Sequence, residues 1–61
     1  MSERIEHLRV SIQKLTEAIW HLDQLGPLES ELKVQYSYMQ EARAYLMELL
    51  KAETRNPKQH P

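Results

Sequence analysis

The stretch HLDQLGPLESEL, residues 21–32, contains the only glycine of the chain and, directly after it, one of its three prolines. Periodic apolar residues lie on both sides, so the reading of Gly26-Pro27 decides whether the chain is one long helix or two short ones. Glycine is favoured just past a helix C-terminus. Proline suits a first helical turn, because its missing N–H would have no partner there anyway. Glu29 and Glu31 follow where the positive end of a new helix favours acidic side chains. The spacing predicts helix 1 over residues 3–25, capped by Ser2, a turn at Gly26-Pro27, helix 2 over residues 27–54 and a tail over residues 55–61 that includes Asn56-Pro57.

Working outward from the turn, Ile5, Leu8, Ile12, Leu15, Ile19 and Leu22 recur at alternating steps of three and four, the a/d seam of a coiled coil. Leu28, Leu32, Gln35, Met39, Ala42, Leu46 and Leu49 repeat the pattern in helix 2. A tight antiparallel hairpin then matches Ile5 with Leu49, Leu8 with Leu46, Ile12 with Ala42, Leu15 with Met39, Ile19 with Gln35 and Leu22 with Leu32. On one flank, small Ser11 and Ala18 fall opposite large Tyr45 and Tyr38, as close packing favours. Gln35, the polar residue of the seam, is expected at its edge, solvated; paired with a symmetry mate it would fix the register. The fold class is all-α, an antiparallel two-helix hairpin expected to dimerise into a four-helix bundle.

The expectation of a dimer comes from size and from the residues left outside the seam. A chain of 61 residues makes a single domain. It buries only about 60% of the surface its unfolded form exposes, and with no cysteine there is no disulfide to supplement the core. Trp20, Tyr36, Met47 and Leu50 lie outside the seam and are expected to form an interface edge. Charges on that edge point the same way. The register would set Arg9 beside Arg43 and Asp23 beside Glu29, like-charged pairs that a second copy related by a two-fold axis would relieve.

Eight Lys and Arg against nine Asp and Glu leave a formal charge of −1, too balanced for a dedicated polyanion binder. No apolar run reaches the length of a signal peptide core or of the roughly 20 residues of a membrane span, so the expected location is the cytoplasm. Glycine-rich phosphate loops, GxSxG and cysteine nucleophiles are all missing from the sequence, so no enzyme, cofactor or metal site is expected. His7 and His21 stand two heptads apart, about 21 Å along a helix, too far to share an ion. One stripe is free of acidic residues: Arg4, His7, Ser11, Lys14, Ala18 and His21 run along helix 1 as a helix following a phosphate backbone would require. Glu31, Glu41 and Glu48 on helix 2 are placed to neutralise Arg4 and Lys14, within the hairpin or across a dimer.

In size and architecture the expected hairpin resembles the Rop-type hairpins, two-helix chains that dimerise into four-helix bundles and bind paired RNA loops, and equally the short helical-hairpin co-chaperones of type III secretion and small hairpin inhibitors of bacterial signalling. What the first resemblance implies is an RNA face at Arg4, His7, Lys14 and His21. The residues themselves favour a non-enzymatic adaptor or regulator, acting through self-association of its helices or by docking a partner helix.

Overall fold

The computed structural model describes residues 3–55, so the Ser2 cap and residues 56–61 of the expected tail lie outside the described residues, while Arg55, expected to open the tail, ends the second helix. Two helices, α1 (Glu3–Asp23) and α2 (Ser30–Arg55), pack against each other as a hairpin whose dimensions are 49 × 15 × 12 Å. Glu3 and Glu6 stand in the first turn of α1 and His21 in its last, each matching the sign of the helix dipole.

The last turn of α1 tightens. Gln24, Leu25 and Gly26 donate their N–H groups three residues back, to the carbonyls of His21, Leu22 and Asp23. The Gln24 side chain closes over the Trp20 carbonyl at 3.2 Å, which satisfies one of the acceptors a helix end leaves open. Gly26 then takes a φ of +86°, and it is this backbone angle that calls for glycine, because the space where a Cβ would project is empty.

The second helix begins later than the sequence predicts. Pro27 and Leu28 cross between the helix axes instead of opening α2, with Leu28 half-buried, and the Glu29 carbonyl accepts the Lys33 N–H at 2.9 Å as the first helical bond. This longer link changes the register. The Tyr36 hydroxyl donates to Asp23 Oδ1 at 2.6 Å, and Arg43 Nη1 donates to Thr16 Oγ1 at 3.1 Å. Asp23 therefore meets Tyr36 instead of Glu29, and Arg43 meets Thr16 instead of Arg9. The slip is one heptad, close to two whole turns, so it changes the expected partners without by itself turning one helix away from the other. At the open end Arg4 Nε donates to Glu53 Oε2 at 2.8 Å and ties the start of α1 to the end of α2.

The seam on α1 is as the periodicity predicts. Leu8 and Ile19 are buried, and Ile5, Ile12, Leu15 and Leu22 half-buried, with Ala18 beside them. On α2 the seam is different. Leu32, Tyr36, Met39, Arg43, Leu46, Leu50 and Glu53 are half-buried at alternating steps of four and three, and Leu49 is half-buried beside them, while Gln35 and Ala42, which the sequence places in the seam, are exposed. The helix is turned by roughly half of a residue's 100° step from the expected orientation. The turn exchanges Gln35 and Ala42 for Tyr36 and the Arg43 stem, side chains with more apolar area to lay on α1.

Candidate interaction surface

Rotation of α2 sorts the expected interface residues into two groups. Tyr36, Leu50 and Arg43 belong to the intramolecular seam. Trp20, 57% exposed, and Met47, 46% exposed, remain outside it, as do exposed Arg9, Asp23 and Glu29. The like-charged clashes that motivated a second copy on this edge are not formed, because Asp23 accepts from Tyr36 and Arg43 donates to Thr16. Thr16 Oγ1 donates onward to the Ile12 carbonyl at 2.8 Å, so its hydroxyl joins the seam arginine to the backbone of α1. Arg43 Nε is fully covered and has no hydrogen-bond partner among the described residues. The Tyr36 hydroxyl is raised above its ordinary pKa, chiefly by the hydrogen bond it donates to Asp23, with burial and the Asp23 charge acting the same way and Arg43 opposing them.

Of the basic stripe on α1, Arg4 is engaged by Glu53, and the ring of His21 meets that of Trp20 edge-on at 5.0 Å. His7 and Lys14 are exposed and have no side-chain partner among the described residues. No group of three His, Cys, Asp or Glu side chains comes together among the described residues, and no described helix is long and apolar enough to cross a membrane.

A second uncovered apolar surface lies on the opposite flank from the Tyr36–Asp23 and Arg43–Thr16 bonds. There Tyr38 and Tyr45 are 61% and 66% exposed, although the sequence sets them opposite the small residues Ala18 and Ser11. Gln35, Ala42 and Leu49 run beside the tyrosines at helical spacing, so this flank of α2 presents a stripe without charge from Gln35 to Leu49. The sequence held a signal for it. Helix 2 is mostly apolar at four of its seven heptad positions, a band wider than one partner helix can cover. No protein-family model matches the chain, and no curated protein or solved structure matches it either.

Proposed function

We propose that this protein is a non-enzymatic interaction module that works by associating, through its helices, with another helical hairpin, a second copy of itself in the first instance. The observation that carries the reading is the imbalance between core and surface. Leu8 and Ile19 are buried, and α2 buries no residue completely, while Trp20, Leu25, Val34, Tyr38, Tyr45 and Met47 are exposed. A core of that size leaves a chain of this length close to the limit of independent folding, and covering the exposed aromatic and aliphatic side chains is the available remedy where no cysteine is present. Association of this kind is a binding function, suited to an adaptor or regulator, and it requires no catalytic group.

Analytical ultracentrifugation over a hundredfold range of protein concentration tests the reading. A reversible monomer–dimer equilibrium is the expected result. A helical species that stays monomeric throughout overturns it.

A further inference from the structure

The structure assigns the self-association face: two copies pack through the Tyr38/Tyr45 flank, α1 of each lying across α2 of the other, with both turns at the same end of the resulting four-helix bundle. This rests on the proposed self-association and adds which face is used and in which direction.

Size complementarity is the first argument. On this flank α1 presents Ser11 and Ala18 where α2 presents Tyr38 and Tyr45, and within one hairpin both tyrosines stay more than half exposed. The Arg43–Thr16 and Tyr36–Asp23 bonds fix which residues of the two helices stand at the same height. A two-fold axis parallel to the helices preserves those heights. It brings Tyr45 of one copy between the levels of Ser11 and Ala18 of the other, and Tyr38 just beyond Ala18, so that large side chains meet small ones. Every neighbouring helix pair in that bundle is antiparallel.

Charge complementarity is the second and decides the direction. The outer rim of α1 on this flank carries His7, Lys14 and His21 with no acidic residue, and the outer rim of α2 carries Glu41 and Glu48. Stacking α1 on α2 of the second copy sets the Lys14 rim against the Glu41/Glu48 rim. The other two-fold arrangement, with turns at opposite ends, lays α1 on α1 and α2 on α2, so that lysine rim faces lysine rim and glutamate faces glutamate. Glu41 and Lys14 have no partner among the described residues, and Glu48 is held only by Lys51, at 3.7 Å through an exposed pair that is readily exchanged. Arg4, the remaining cation of the stripe, is taken by Glu53 inside the hairpin and is not needed.

The absence of cysteine makes the test clean. In a Glu29→Cys variant spin-labelled at the exposed link, dipolar spectroscopy should give a label-to-label distance within roughly 30 Å, a bundle width plus the label arms. A separation near the 49 Å length of the molecule overturns the direction. Tyr38→Ser and Tyr45→Ser should each weaken self-association at least tenfold. Lys14→Glu should weaken it several-fold, with recovery when Glu41→Lys and Glu48→Lys are added in the same chain. Dimers that survive both tyrosine changes but are lost in Trp20→Ser/Met47→Ser overturn the assigned face and leave self-association standing. A wild-type chain that never dimerises overturns both.

Discussion

Tyr36 and Arg43 occupy neighbouring places in the seam, one heptad apart on α2, and their polar ends have opposite fortunes. The Tyr36 hydroxyl reaches Asp23 at the edge of the hairpin, and its neutral form is the one that donates this bond. Its folded pKa therefore stands above the unfolded value. The stabilisation is fully present below the unfolded pKa of about 10 and is lost as pH rises through the higher folded value. Alkaline titration of stability should show a fall beginning above about pH 10 that Tyr36→Phe reduces, since phenylalanine keeps the ring in the seam and has no proton to lose. A fall of equal size in both proteins would assign it to other groups. Arg43, by contrast, covers α1 with its stem at the cost of an Nε that has no partner. An unmet buried donor costs about 1–3 kcal/mol. Arg43→Met, which keeps the stem and removes the donor, is expected to raise the unfolding midpoint, and a loss of about 1 kcal/mol or more would show that the Thr16 bond outweighs the orphaned nitrogen.

The elements are set by different kinds of information. Helix α1 is strongly specified, because six of its apolar residues, Ile5, Leu8, Ile12, Leu15, Ile19 and Leu22, occupy one stripe and the buried pair Leu8 and Ile19 lies within it. Ile19→Ala is expected to cost about 2–5 kcal/mol in denaturant titration, most of the stability available to a chain this small. The link is specified by Gly26 at φ +86° together with Pro27, which cannot continue α1. Replacing both with alanine removes the left-handed turn and the missing donor at once and permits a continuous helix of about 50 residues, roughly 75 Å long. Small-angle scattering should then show a particle well beyond the 49 Å of the hairpin, whereas an unchanged envelope would place the cause of the bend in the packing of the two helices. Helix α2 is the element whose orientation periodicity left open, since apolar residues on two overlapping stripes allow either to face α1.

At the scale of the whole molecule, surface dominates. The hairpin is long and thin, a shape that maximises exposed area for its volume and leaves every residue of α2 at least partly accessible. If association supplies the missing burial, folding and dimerisation are linked, and stability follows concentration by mass action. Each tenfold rise in concentration then contributes about 1.4 kcal/mol, which for two chains of this length raises the unfolding midpoint by on the order of 5 °C. Calorimetry or circular dichroism at three concentrations measures the slope, and a midpoint independent of concentration would place the whole stability inside one hairpin.

Two helices, the bend between them and the seam of α1 were legible in the sequence, because these depend on local backbone preferences and on the period of apolar residues. The start of α2 at Ser30, the one-heptad slip and the turn of α2 that takes Tyr36, Arg43 and Leu50 inward were not. A heptad pattern is unchanged by a shift of one heptad, so periodicity has no power to choose between registers; the length of the link chooses. It is equally blind to a small rotation when Gln35 and Ala42 compete with Tyr36 and Leu50 for the same partner, and the competition is settled by apolar area buried against α1. That rotation alone determined which aromatic residues close the hairpin and which stay exposed.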